Sequence, residues 1–187
     1  GKQRYHLKLG DERHLHIAWK QHLLLSLKPG FESKVLEWVD LNSGKQKKIK
    51  LAEKVLKTDL GEPGLVAVLE SGKLAIIDPT TDKVQKILNQ HLQGLAPFQL
   101  QIKGLQLGDG VLIAHFWEKP ANLRRPGIVL DWLTNIKEHS FVWKMPEGKL
   151  SLRVQEPLVL HTSRPGYMTL RKDTALREVW DLETGKA

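Results

Sequence analysis

The side chains best suited to hold a metal or move a proton in this 187-residue chain are its eight histidines, since cysteine is absent and imidazole titrates near neutrality. His14 and His16 are two apart, so on a strand both rings project from one face toward a single ion. A metal site needs further ligands, and His6, His22, His91, His115, His139 and His161 fall at no ligand spacing. No two histidines are four apart, and neither a carboxylate triad nor a calcium-loop pattern occurs. The expectation is isolated strand histidines, facing water or bonded to backbone groups, and no metal site.

Hydrolytic and nucleophilic chemistry has no stronger signal. Asp109, Glu118 and Asp131 share one stretch, but sequence separation does not set the spacing that a catalytic carboxylate pair requires. No G-x-S-x-G elbow is present, and Ser71-Gly72 and Gly108-Asp109-Gly110 read as hairpin turns rather than phosphate loops. No catalytic residue and no cofactor is assigned. Recognition is better supported. Arg124 and Arg125 lie in a loop from Pro120 to Pro126, and Trp132 follows Asp131 at a place where comparable turns carry Leu41, Pro79 and Leu182. An aromatic beside two guanidiniums suits a protein surface or an acidic chain, which makes Arg124, Arg125 and Trp132 the predicted binding residues. The other reading of Trp132 is a buried loop anchor.

The formal net charge of +8 also favours an acidic partner, whether protein, nucleic acid or anionic lipid. Lys45, Lys47, Lys48 and Lys50 form the densest cluster, and lysines of this kind ordinarily keep a strand edge from pairing with other edges. The longest apolar run, Leu23 to Leu27 with Ser26 inside it, is too short to span a bilayer. The lack of cysteine fits a reducing compartment, which favours the cytoplasm.

The elements that must position these groups are strands. Residues 99–107 place apolar side chains at alternate positions, as a half-buried strand requires, and residues 141–144 and 150–154 read the same way. Turn residues interrupt such runs at short intervals, as at Lys28-Pro29-Gly30, Glu62-Pro63-Gly64 and Arg164-Pro165-Gly166. Residues 82–92 fit either a helix or a strand leaving a turn, and the strand is preferred. Four times an apolar run ends in an aspartate that opens a turn, at Asp40, Asp78, Asp131 and Asp181, with intervals of 38, 53 and 50 residues. That interval is typical of a four-stranded propeller blade. The aspartates at 40, 78 and 181 are expected to be turn formers rather than catalysts.

Val179-Trp180-Asp181-Leu182-Glu183-Thr184-Gly185-Lys186 resembles the strand-and-turn signature of WD-repeat and quinoprotein-type propellers, and Trp38 to Lys45 matches it nearly as well. The resemblance implies fold alone. The expectation is an all-β chain, a small β-propeller of about four blades or a fragment of a larger one. It forms one domain over 1–187 with units at 10–51, 52–92, 97–147 and 149–187; the third is expected to hold strands at 99–107, 111–117, 127–131 and 140–144, the fourth opens with 150–154, and a strand at 3–9 completes the last unit. The function expected on that scaffold is non-catalytic protein interaction. The alternatives are a ligand-binding or lyase-like propeller with its site in the central channel, and a basic nucleic-acid-binding domain.

Overall fold

The structure, a computed structural model, describes residues 14–18, 23–27, 33–61, 64–95, 100–108, 110–118, 137–155, 158–160, 167–172 and 176–181; in the first strand, at residues 26 and 27 and in the last three strands it describes the backbone alone. Among the described residues four antiparallel sheets are formed by consecutive strands. The first contains β1 (His14–Ala18), β2 (Leu23–Leu27), β3 (Val35–Asp40) and β4 (Gln46–Lys50), in that spatial order. The second contains β5 (Val55–Gly61), β6 (Gly64–Leu69), β7 (Leu74–Asp78) and β8 (Lys83–Leu88). The third runs β9 (Leu100–Gly108), β10 (Val111–Glu118), β11 (Lys137–Lys144) and β12 (Lys149–Val154), and the fourth runs β13 (Leu158–Leu160), β14 (Tyr167–Lys172) and β15 (Leu176–Asp181). Among the described residues the helical element is a 3₁₀ turn at Gln90–Leu92. The fold class is all-β.

Side-chain character changes across each sheet as burial does. β6, with strands on both sides, is buried at all its positions and reads Gly-Leu-Val-Ala-Val-Leu, whereas β8 at the sheet edge is exposed from Lys83 to Ile87. A strand covered on both faces needs no polar alternation, and an edge strand facing water tolerates it.

The aspartate turns follow from local hydrogen bonding. Asp40 Oδ1 accepts the N–H groups of Asn42 and Ser43, each at 2.9 Å, and Gly44 closes the turn at φ 70°. Asp78 Oδ1 accepts Thr80 N–H at 2.7 Å, Oδ2 accepts the Thr81 hydroxyl at 2.9 Å, and Asp82 takes the glycine's place at φ 58°. Aspartate tolerates that left-handed backbone better than most residues, so one turn geometry is built from two different sequences. Asp131 lies outside the described residues, as do the expected strands at 3–9 and 127–131 and the Lys28 and Arg164 turns.

Two compact units divide the chain, residues 1–70 with 74–87 and residues 71–73 with 88–187. In the first unit Leu23, Leu25, Leu36 and Trp38 form one buried cluster with Leu51, Val55, Leu65, Ala67, Leu69, Ala75 and Ile77. A polar tie joins the first two sheets. Trp38 Nε1 donates to the Pro79 carbonyl at 3.3 Å, and Lys47 Nζ donates to the carbonyls of Pro79 at 3.1 Å and Thr80 at 2.9 Å while pairing with Asp82 at 3.1 Å. In the second unit the core is aromatic, with Phe116, Phe141 and Trp143 fully buried around His91.

Two strands depart from the sequence expectation. β5 had no counterpart in it, because a bulge between Val55 and Lys57 breaks the two-residue period. β12, expected to open the fourth unit at 149–187, is the outer strand of the third sheet, joined to β11 by a turn in which Gly148 has φ 62° and its N–H reaches the Lys144 carbonyl at 2.8 Å.

Candidate recognition site

Arg124, Arg125 and Trp132 belong to the connection between β10 and β11 and lie outside the described residues. Both strands that carry the connection are described. They pair without interruption from Val111↔Lys144 to Glu118↔Lys137, so the chain leaves and re-enters the sheet at adjacent positions. β9 flanks β10 on the other side, with a bulge between His115 and Phe116.

Each face of this hairpin foot is held by a polar clamp. On one face Trp117 and Glu138 are direct cross-strand partners, and the indole Nε1 donates to Glu138 Oε1 at 2.9 Å. Lys103, from β9, donates to the same oxygen at 2.8 Å and sits 4.7 Å above the Trp117 ring. Three strands are thereby tied through one carboxylate. Burial pushes the Glu138 pKa up, but the hydrogen bonds from Lys103 and Trp117 outweigh it, so the group stays below its usual value and ionised. Farther along this face His115 Nδ1 meets Ser140 Oγ at 2.8 Å, and Gly104 leaves room for the His115 ring; a Cβ there would lie 2.8 Å from His115 Cδ2.

On the other face His139 Nε2 lies 2.9 Å from Glu118 Oε2, with His139 buried and Glu118 half-buried. Below it the rings of His139, Phe141, Phe116, Trp143 and His91 form an aromatic cluster of stacked and edge-to-face contacts at centroid separations of 5.1 to 6.2 Å, and the Arg153 guanidinium lies 5.5 Å from the Phe141 ring. His91 Nε2 is 2.9 Å from the Gly72 carbonyl, to which it must donate, and its Nδ1 has no partner among the described residues. Burial is the main reason that its pKa falls to about 4, and Arg153 adds to the fall against the Gly72 bond.

The arrangement is suited to holding strand ends in place. Glu138 is already occupied by two donors, and His139 with Glu118 forms a second closed pair. Among the described residues no three histidine, aspartate or glutamate side chains converge on a common point. His14 and His16 share β1, where the backbone alone is described; His91, His115 and His139 are the histidines whose contacts are described, one bonded to backbone and two to side chains. Of the tryptophans, Trp38 and Trp143 are core residues and Trp117 is half-buried, while Trp19 and Trp132 lie outside the described residues. Sequence reasoning missed Lys103, Trp117 and Glu138. The signal was there in principle, since Trp117 and Glu138 become partners once the long connection is treated as a hairpin loop, but an expected strand at 127–131 stood between them.

No family model matches the sequence, and no curated protein matches it. Solved structures do. The WD40 domain of Neurospora crassa Pan2 aligns with a TM-score of 0.57 at 13% identity, over 89% of this chain and 48% of that one. Hydrazine synthase of Kuenenia stuttgartiensis aligns at 0.56 and 10% identity, over 83% and 48%. KlAtg21, solved in complex with the coiled-coil of AgAtg16, aligns at 0.55 and 10% identity, over 94% and 54%. The chain thus spans about half the length of the structures it matches. At such identities the likeness is one of architecture, and the architecture is that of WD40-like and related β-propellers.

Proposed function

We propose that the chain is a non-catalytic protein-interaction module whose contact residues, Arg124, Arg125 and Trp132, are carried by the β10–β11 connection. The observation that supports this reading is the doubly clamped hairpin foot, with Lys103, Trp117 and Glu138 on one face and His139 with Glu118 on the other. A binding loop gains affinity when its ends are fixed in advance, because less freedom is lost on association. The carboxylates and imidazoles nearby serve that fixation. The basic loop residues and the net charge of +8 favour an acidic protein surface as partner. One structural neighbour was solved with a coiled-coil bound, which is consistent with protein partners for this fold.

The test is quantitative affinity capture with the wild-type chain and with a variant carrying Arg124→Ala, Arg125→Ala and Trp132→Ala, after circular dichroism has shown that both are folded. Partner recovery should fall sharply in the variant, and wild-type recovery should fall with salt as exposed charges are screened over about 10 Å at 0.1 M. Equal recovery by both proteins would move the site off this loop and favour a ligand site in the central channel. Recovery of nucleic acid instead of protein would favour the basic nucleic-acid-binding alternative.

A further inference from the structure

The geometry points to β4 as a docking edge for an extended acidic segment of another protein, which adds a fifth strand to the first sheet with glutamate or aspartate at alternate positions. β4 has β3 as its strand neighbour and its other edge open among the described residues. The Asp40 N–H donates to the Lys45 carbonyl and the Leu51 N–H to the Lys34 carbonyl, so residues 45, 47, 49 and 51 face β3 in the antiparallel pattern. Gln46, Lys48 and Lys50 then direct their N–H and C=O groups to the open edge. Their side chains share one sheet face, are exposed, and the ammoniums of Lys48 and Lys50 have no partner among the described residues.

The opposite face differs in chemistry. Lys47 is committed to Pro79, Thr80 and Asp82, and Ile49 is partly buried against the apolar core. An added strand with acidic residues over Lys48 and Lys50 and aliphatic residues over Ile49 therefore satisfies both faces, with pairing supplied by its own backbone. Register separates this edge from three of the others. The edge strands β5, β9 and β12 take part in pairings interrupted by a bulge, whereas β4, like β1, β13 and β15, pairs in unbroken register; β4 differs from β5, β9 and β12 in being defended by its lysines alone, a defence that an acidic strand cancels. A second copy of this chain is a poor occupant, since two β4 strands side by side set lysine against lysine. This edge belongs to another sheet than the β10–β11 loop, so either reading can fail without the other.

The experiment uses the full chain and an acetylated, amidated octapeptide alternating glutamate and valine, followed by hydrogen exchange and by titration. Amides 46, 48 and 50 should gain protection on peptide addition, while 47 and 49 are protected already. The Lys48→Glu, Lys50→Glu double variant should bind the peptide at least about tenfold more weakly, in keeping with the reversal of two exposed charges. The same peptide N-methylated at every glutamate keeps its charge and loses the N–H groups that face β4, and it should also bind at least about tenfold more weakly. The proposal is overturned if amides 46, 48 and 50 gain no protection, or if the methylated peptide binds as well as the parent. It is equally overturned if a single-stranded oligonucleotide of the same charge protects these amides as well as the peptide does. Protection that rises with protein concentration in the absence of peptide would assign the edge to a second copy instead.

Discussion

Acidification should destabilise the second unit through His91. Its Nε2 donates to the Gly72 carbonyl, leaving Nδ1 as the atom a proton must join; Nδ1 has no partner among the described residues, the ring is packed on Phe116, Phe141 and Trp143, and Arg153 is the nearby charge. Protonation would bury a cation without an acceptor. The folded pKa is about 4 against an ordinary 6.5, so the unfolded chain binds the proton first as pH falls. Above 6.5 both states are neutral and the contribution is intact; it is lost between 6.5 and about 4 and changes no further below. At 1.36 kcal/mol per pKa unit the loss is about 3 kcal/mol, a large share of a domain stability of roughly 5–15 kcal/mol. His91→Gln retains a donor for Gly72 and does not titrate. Urea unfolding of both proteins from pH 7 to 4 should show the wild type losing about 3 kcal/mol more than the variant. Parallel pH profiles, or an His91 ring resonance titrating near 6.5, would refute the reasoning.

Asp78→Ala removes the acceptor of Thr80 N–H and of the Thr81 hydroxyl, and urea unfolding at neutral pH should record a loss of about 1 kcal/mol. The bond from Thr80 N–H is the main reason that the Asp78 carboxyl lies below its ordinary 3.8, so this contribution is present above 3.8 and lost as pH falls through the lowered value, beneath the His91 window. Gly104→Ala places a Cβ 2.8 Å from His115 Cδ2 and should cost about 1–3 kcal/mol by displacing the ring from Ser140, visible as a changed His115 resonance. Glu138→Gln leaves the Trp117 indole an acceptor but dissolves the partly exposed ion pair with Lys103, so unfolding should change by less than about 1 kcal/mol while indole fluorescence shifts.

What the sequence revealed tracks how local the determining interactions are. The turns at Asp40 and Asp78 were legible because the carboxylate bonds backbone groups two or three residues away. The all-β class was legible because alternation survives in strands such as β3 and β9. β5 escaped notice because its bulge shifts the period, and β12 was given to the wrong sheet because a short turn at Gly148 looks the same between strands of one sheet as between sheets. His91 was read as part of a strand or a helix face, yet it stands on the 3₁₀ turn after β8, where its role depends on Gly72 nineteen residues earlier and on rings from β10 and β11. The clamp of Lys103, Trp117 and Glu138 draws on three strands and becomes legible only once β10 and β11 are paired across their long connection.

The bonds from Trp38 and Lys47 to the turn after β7 also impose a timetable on synthesis. Trp38 finds its acceptor 41 residues downstream and Lys47 finds its own 32 and 33 residues downstream. At about 5–20 residues per second, the ribosome supplies Pro79 several seconds after Trp38 has been made. During that interval β3 and β4 can form a hairpin but not its finished packing, with an apolar indole and an uncommitted ammonium facing water. The first sheet is therefore expected to mature only when the second arrives, which makes the nascent chain, more than the finished protein, the state most in need of a chaperone.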